Sequence, residues 1–280
     1  MEKIEILSSP AAELKAARLR NSGIFMATWI GHLRVAERLL DSLPDLDPGC
    51  FAYGSLAPDC GRRAEDGSGF VPPKEISHCV AYEGERLIFQ DLVFYRNHLA
   101  GHQKSDDTER FSFLLAYFIH LTVDGLWYEL IAEASKRDYK ELISEKGDEA
   151  WWIMKDDWYG LDVHHAIDNQ GSLFWKEIYT LDNCRSFLPF QEHQTLEEQL
   201  GFIKGFYSNP PLDLIERSSF PYLNEATMDR FVSDATYLVQ MVLDIIGKDG
   251  IPLDADCSLD LLPTELLLPY SAPLGDDVAA

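Results

Sequence analysis

The sequence predicts an all-α protein, a multi-helix bundle with one long irregular loop and an irregular C-terminal tail. Three observations lead there. Apolar residues recur at helical spacing along most of the 280-residue chain. No set of segments alternates apolar and polar residues as half-buried strands do. A content of 46% hydrophobic and 12% aromatic residues supplies a large core and excludes a wholly disordered chain. No internal repeat is evident.

A first helix is expected from Pro10 to Arg20, broken by Asn21-Ser22-Gly23. A second begins near Met26, carries Trp29, Leu33, Ala36, Leu40 and Leu43 on one stripe, and stops at Pro44. Because the pattern restarts cleanly there, residues 1–25 read as an appended extension, or Met26 as an alternative start. Residues 44–80 are rich in Pro, Gly, Asp and Ser and read as a loop long enough to be functional. Further helices are expected from Glu83 to Ala100, Thr108 to Arg137, Tyr139 to about Trp158, Leu173 to Tyr179, Leu196 to Phe206 and Asn224 to Gly247. They place the main domain at 26–250. The segment 251–280 has no Lys or Arg, six carboxylates and four prolines. It reads as an acidic strap that docks through its leucines before fraying.

Against 24 Lys and Arg stand 47 Asp and Glu, a formal charge of −23. Such a surface repels polyanions at long range, which argues against duplex nucleic acid or an anionic bilayer as a partner. The N-terminal stretch is charged throughout and lacks the apolar segment of a signal peptide. The apolar run Phe111 to Leu121 falls short of a membrane span, so no stable membrane insertion is expected. Five cysteines, an odd number with no CxxC pair, fit free thiols in the cytoplasm.

The residues able to carry chemistry centre on His120 and Asp124. Four apart in the most apolar helix, they project from one face toward one point. Burying both is costly unless they pair or hold a cation, so a hydrogen-bonded pair and a metal site both satisfy the pattern. His32 lies at the edge of the second helix's apolar stripe. Asp59 follows the tight segment Gly54-Ser55-Leu56-Ala57-Pro58, and His78 closes the long loop. Imidazoles and carboxylates from separate elements form a donor set that suits zinc or another divalent transition metal. His98, His102 and His193, in polar surroundings, read as surface residues. Cys60 and Cys79, each next to a candidate ligand, read as packed thiols that would make the site oxidation-sensitive.

Four segments resemble the zinc-dependent phospholipase C family in order and spacing. They are Thr28-Trp29-Ile30-Gly31-His32-Leu33-Arg34-Val35-Ala36, Gly54-Ser55-Leu56-Ala57-Pro58-Asp59, Ser77-His78, and His120-Leu121-Thr122-Val123-Asp124-Gly125-Leu126-Trp127. The resemblance covers about residues 26–170. It implies an all-α fold akin to the single-strand nucleases, a metal cluster between helices, and hydrolysis of phosphoesters. It makes His32, Asp59, His78, His120 and Asp124 metal ligands, with Asp124 able to bridge two ions. Asp59 would also orient or deprotonate the attacking water. The implied cofactor is one or two Zn2+ ions, with Mn2+ or Fe2+ as alternatives.

The sequence also departs from that family. Trp29, which in secreted members would be a processed N-terminus whose amine and carbonyl bind zinc, is internal here. The histidines and glutamate expected soon after the HxxxD helix are missing. Replacements would come from Glu129 or from the segment 155–168, where Asp162 or His164 is the choice for a second metal site. A solvated acidic helix start with an N-capping aspartate is the favoured reading of that segment. If that segment is helical, His165 points about 100° away from His164. Glu65 and Asp66 face either the pocket or an exposed turn.

The expected function is metal-assisted phosphodiester hydrolysis on a small or zwitterionic phosphoester. A non-catalytic helical metal-binding scaffold is the alternative, followed by another metal-dependent phosphohydrolase or a nuclease. The absence of a His-Asp dipeptide counts against phosphohydrolases built on that pair. Oligomeric state and substrate identity have no signature in the sequence.

Overall fold

The computed structural model describes residues 26–64, 69–84, 86–183, 185–271 and 274–275. The expected helix at Pro10 to Arg20, and Glu65 and Asp66, lie outside the described residues. What is described is all-α, with strands confined to two small antiparallel ladders.

Helix α1, Trp29–Leu40, follows Thr28 and buries Trp29, Ile30, Leu33, Val35, Ala36 and Leu39. The expected loop over 44–80 holds regular structure. Asp47 caps α2, Pro48–Gly54, by accepting the Cys50 N–H at 2.7 Å, with Pro48 already fixed for a helical first turn. A 3-10 turn, Ala57–Asp59, follows directly. Strands β1, Arg62–Arg63, and β2, Phe70–Val71, pair as a short ladder, and the single turn α3, Lys74–Ser77, leads into His78.

The helix expected from Glu83 to Ala100 is corrected. Val80–Glu83 (β3) and Arg86–Phe89 (β4) form a hairpin, with Val80 opposite Phe89 and Gly84 left-handed at φ 63°. Burial decides it: Val80, Leu87 and Phe89 face the core from alternate positions, a period of two that a helix cannot use. Helix α4, Asp91–Phe94, runs on into a π-turn, Tyr95–Leu99.

The central element is α5, Thr108–Trp127, capped by Asp107 and buried from Ser112 onward. It continues through a π-turn, Tyr128–Ala132, into α6, Glu133–Asp138. The stretch Thr108–Asp138 is long and apolar enough to span a membrane, but 94% of its most apolar window is buried inside the fold. α5 packs most extensively on α2. A Cβ at Gly54 would stand 2.4 Å from the Phe113 carbonyl oxygen, so the two backbones meet where no larger residue fits.

The helix expected from Tyr139 to Trp158 is divided. α7, Lys140–Lys146, ends at Gly147 in a left-handed conformation, and α8 runs from Asp148 to Asp168, well past the expected end. A π-turn, Phe174–Ile178, precedes α9, His193–Ser208, and α10, Leu212–Ile215. In α11, Glu225–Asp249, Asn224 caps by accepting the Thr227 N–H. Ser258, Leu259, Leu262, Tyr270 and Leu274 of the tail are buried. The tail is held by a polar lock as well as leucines. Asp91 accepts the Ser258 N–H at 2.7 Å, the Ser258 hydroxyl, and the Thr122 hydroxyl at 2.8 Å. Thr122 stands between His120 and Asp124, so the tail braces the helix that presents both.

Candidate metal centre

Five side chains named from the sequence converge at the heart of the molecule: His32 from α1, Asp59 from the turn after α2, His78 after α3, and His120 and Asp124 from α5. Their donor atoms fall into two overlapping triads with every atom within 4.8 Å of the others: His32, Asp59 and His120, and His78, His120 and Asp124. Asp124 is the hub. Its Oδ1 lies 3.2 Å from His32 Nε2, and its Oδ2 lies 3.2 Å from His120 Nε2 and 3.8 Å from His78 Nε2. Asp59 Oδ1 stands 3.2 Å from His78 Nε2.

Local structure orients two of the three rings, those of His120 and His78. The carbonyl of Ser55, at the end of α2, accepts from His120 Nδ1 at 2.8 Å. That assigns the Nδ1–H tautomer and turns the Nε2 lone pair to the cluster, the orientation a metal-binding histidine takes. Ser77 Oγ contacts His78 Nδ1 at 2.9 Å, and the Ser77 carbonyl is pinned by the Tyr117 hydroxyl at 2.6 Å. Cys79, left-handed at φ 47°, then turns the chain away into β3. The Ala27 N–H donates to Asp124 Oδ1 at 3.1 Å and ties the entry of α1 to the hub.

A divalent metal fits this donor set. His32 Nε2, His120 Nε2 and Asp124 Oδ2 are buried atoms with no hydrogen bond of proper alignment, although they face one another. With Nδ1 holding the proton, His120 Nε2 is an acceptor, and so is the ionised Asp124. Two acceptors 3.2 Å apart need a positive centre between or beside them, either a proton or a cation.

The electrostatics carry the same tension. Burial alone would raise Asp124 and Asp59, but His120 and His32 hold Asp124 well below the carboxylate range, and His78, His120 and Lys74 do the same for Asp59. Burial pushes His78 down to about 4, with Lys74 adding to the effect, and burial with His120 lowers His32. For His120 burial also lowers, but Asp124, Asp59 and the Ser55 carbonyl outweigh it and the net shift is upward.

Asp59 alone of the five borders a cleft of about 420 Å³. Arg62 and Arg63 flank it, Trp29, Phe70, Tyr159 and Phe202 wall it, and Thr195, Glu198 and Gln199 lie opposite. The arginines are exposed, so the cleft sets two cations against Asp59 and Glu198 on a chain of charge −23.

Asp162 and His164 stand elsewhere. Asp162 is buried in the interior of α8 rather than at a solvated helix start. It accepts from Thr28 Oγ1 at 2.8 Å, Tyr207 Oη at 2.7 Å and the Ile30 N–H at 3.4 Å. It therefore caps α1 from a neighbouring helix, using the lone pairs a metal would need. His164 Nε2 donates to the Ile215 carbonyl at 3.1 Å and its ring meets Phe220. Glu129 is half-buried, and its charged neighbours are Glu133, Arg86 and Lys136. His193 is exposed as expected. His98 and His102 are half-buried instead, with His98 packed between Phe94 and Phe190. Cys60 and Cys79 have free thiols directed at the Leu56 and Ile76 carbonyls, and burial pushes Cys79 up to about 11.

Two charged residues absent from the sequence reading approach the centre. Lys74, on α3, has Nζ 3.3 Å from Met26 Sδ and 6.0 Å from the Phe70 ring. Lys155, on α8, is 2% exposed, with Nζ 5.4 Å from the Trp158 ring and 5.6 Å from that of Trp152. Both feel the charges of Asp59 and Asp124, and burial brings Lys155 down to about 7. The signal lay in Lys155's place four residues before Tyr159, on the face that α8 buries.

No family model matches this chain, and neither the curated proteins nor the solved structures gave a match.

Proposed function

We propose that this chain is a metal-dependent phosphoester hydrolase resembling the zinc-dependent phospholipases C. The observation that carries the reading is the set of buried, unsatisfied atoms at the cluster, His32 Nε2, His120 Nε2 and Asp124 Oδ2, beside a cleft that only Asp59 of the cluster reaches. His32, Asp59, His78, His120 and Asp124 would hold one or two divalent ions, zinc or alternatively manganese or iron. Bound there, the metal would lower the pKa of a water toward ~7 and neutralise phosphoryl oxygens.

The chain's own groups supply the rest. Asp59, kept ionised by His78, faces the cleft as an acceptor and orients the attacking water. As the water oxygen bonds to phosphorus, its proton would pass to the Asp59 carboxylate, and the ester oxygen would leave with the bonding electrons. Asp124 keeps His32 and His120 aimed at one point, and Ser55 and Ser77 hold the outer nitrogens of His120 and His78. Arg62 and Arg63 at the mouth draw a small anionic or zwitterionic phosphoester into an otherwise repulsive field. Free thiols at Cys50, Cys60, Cys79 and Cys257 fit residence in the cytoplasm.

Elemental analysis joined to a phosphodiester and phosphomonoester screen tests this. We expect stoichiometric zinc, manganese or iron and a hydrolysis rate that Asp59→Asn reduces at least a hundredfold. A metal-free preparation, with full activity in the Asp59→Asn variant, would overturn it. A helical scaffold holding one structural ion is the second reading, favoured by the near-complete burial of four of the five ligands. A loaded protein inactive on every phosphoester would select it.

A further inference from the structure

One helix face forms a wall of the cleft that Asp59 borders. Thr195, Glu198, Gln199 and Phe202 of α9 all line it, and steps of three, four and seven residues from Thr195 keep the four on a single side of the helix. Leu196, Leu200, Ile203 and Tyr207 share the neighbouring side and are buried in the core. The helix therefore has one face for packing and another for the cleft.

What joins that wall to Asp59 is a side chain just ahead of the helix. Gln191 Nε2 donates to the Ala57 carbonyl at 2.8 Å, a buried bond between residues 134 apart in sequence. Ala57 opens the 3-10 turn that ends at Asp59, and Thr195 follows Gln191 by four residues. The loop leading to Gln191 is anchored in the core by Phe187 and Leu188, with the Phe187 ring 5.0 Å from that of Phe113. The Ser186 hydroxyl closes the loop on itself through the Leu188 and Gln191 carbonyls. Apolar burial sets how deep such a loop sits but has no direction, whereas a hydrogen bond sets its register against the turn. Stability alone does not account for the amide. The Ala57 carbonyl also accepts the Cys60 N–H at 3.1 Å, so the turn's backbone is satisfied without Gln191.

We infer that Gln191 is a positioning residue for substrate recognition. Its bond to Ala57 sets the α9 face against Asp59, and that face holds the part of the ester beyond the phosphate. This rests on the hydrolase reading above and adds where the rest of the substrate lies.

The two ends of the cleft are held independently. Asp59 Oδ1 stands 3.2 Å from His78 Nε2, and its N–H donates to the Leu56 carbonyl, so the carboxylate keeps its place when Gln191 is lost. The α9 face loses its register. A shift of a fraction of an ångström there weakens contact with a bulky group while leaving the phosphate end intact. Trp29 and Phe202, 6.0 Å apart and edge to face, make the apolar part of that contact.

The test uses the full chain loaded with zinc, with inorganic phosphate and phenylphosphonate as probes. Phosphate engages the Asp59 end alone, and phenylphosphonate adds a ring that meets the aromatic wall. Affinity for each by calorimetric titration, metal per chain, melting temperature, and kcat and KM for p-nitrophenyl phosphate are measured for wild type, Gln191→Met and Gln191→Leu. Neither substitute carries the N–H. Ile143→Ala, at a half-buried position of α7 away from the cleft, is the control for general destabilisation. Expected in wild type is phenylphosphonate bound at least tenfold tighter than phosphate. In both Gln191 variants that advantage should shrink at least fivefold, with phosphate affinity and metal content within twofold of wild type and the turnover defect in KM. Ile143→Ala should lower the melting temperature and keep the advantage. An advantage unchanged in folded Gln191 variants, a loss that phosphate shares equally, or the same loss in Ile143→Ala overturns the assignment. A chain that binds both probes but hydrolyses no ester overturns the hydrolase reading alone. One that hydrolyses esters without any phenylphosphonate advantage overturns the role of α9 and Gln191 alone.

Discussion

His32 and His120 stack face to face, with ring centroids 3.7 Å apart and planes 10° from parallel. Two imidazolium rings at that distance repel, so protonating both opposes folding. Asp124 stabilises one proton, and His120 takes it, which is why burial with its neighbour lowers His32 while His120 rises. The metal-free protein should therefore lose stability in mild acid. His78 titrates near 4 when folded against an ordinary 6.5. Between those values the unfolded chain binds a proton that the folded chain refuses, so stability falls as pH drops through that window. His78 alone contributes on the order of 3 kcal/mol. His32 acts in the same direction. His120 acts oppositely, adding stability at low pH that is lost as pH rises through its raised folded value. Asp59 and Asp124, depressed in the folded state, contribute stability that fails only in stronger acid. Melting curves of chelated protein from pH 7 to 4.5 should show the fall, and His78→Gln should flatten it; a flat wild-type profile contradicts this account.

Asp124→Asn removes the charge that both stacked rings share while keeping an oxygen for the Ala27 N–H. Metal affinity should fall by at least ~100-fold, above the range for losing a mere supporting partner. The folded protein should survive. Equilibrium dialysis with Zn2+ and the metal-induced rise in melting temperature are the checks, and wild-type retention of metal would remove Asp124 from the ligand set.

Asp162→Ala separates cap from ligand. It strips partners from the Thr28 and Tyr207 hydroxyls and the Ile30 N–H in a buried setting, a loss of roughly 2–4 kcal/mol. Urea denaturation should register that loss while metal content per folded chain stays at the wild-type value. A drop in metal content without a drop in stability reverses the assignment.

Gly54→Ala pushes a methyl group to within 2.4 Å of the Phe113 carbonyl oxygen, backbone that cannot step aside. The cost should be roughly 1–3 kcal/mol or more. Because Ser55 follows directly and holds His120 Nδ1, metal affinity should weaken as well. Thermal unfolding and zinc titration read the two effects together.

Ser258→Ala should destabilise by roughly 1–3 kcal/mol, since Asp91 is 1% exposed and keeps only the Leu92 and Ser258 N–H groups and the Thr122 hydroxyl. Denaturation midpoints compared with Leu253→Ala, whose side chain is almost fully exposed, distinguish the polar lock from nonspecific tail contact.

The all-α class and the His120–Asp124 pair were legible because each rests on local spacing, while His32, Asp59 and His78 were named through a resemblance in order and spacing to a known family. His120 and Asp124 share a face at any burial, and the capping signals at Asp107 and Asn224 act within four residues. Other features were not local. Val80–Phe89 became a hairpin because α5 and the tail offer a surface that alternate residues can bury, with Phe89 meeting Tyr128 and lying 3.6 Å from where a Gly125 Cβ would stand. Residues 44–80 hid α2 because Pro48 and Gly54, which read as loop residues, serve as a first helical turn and a close contact.

The sequence by itself put His120 and Asp124 on one helix face, and its resemblance to a metal-dependent family named His32, Asp59 and His78 beside them. Only the tertiary structure decided what the remaining charges do. Asp162 became a helix cap because α8 lies beside the start of α1. Lys74 and Lys155, far apart in sequence, both feel the charges of Asp59 and Asp124 because folding buries them. A charge acquires its role from burial and partners, and both are properties of packing across the chain rather than of neighbours along it.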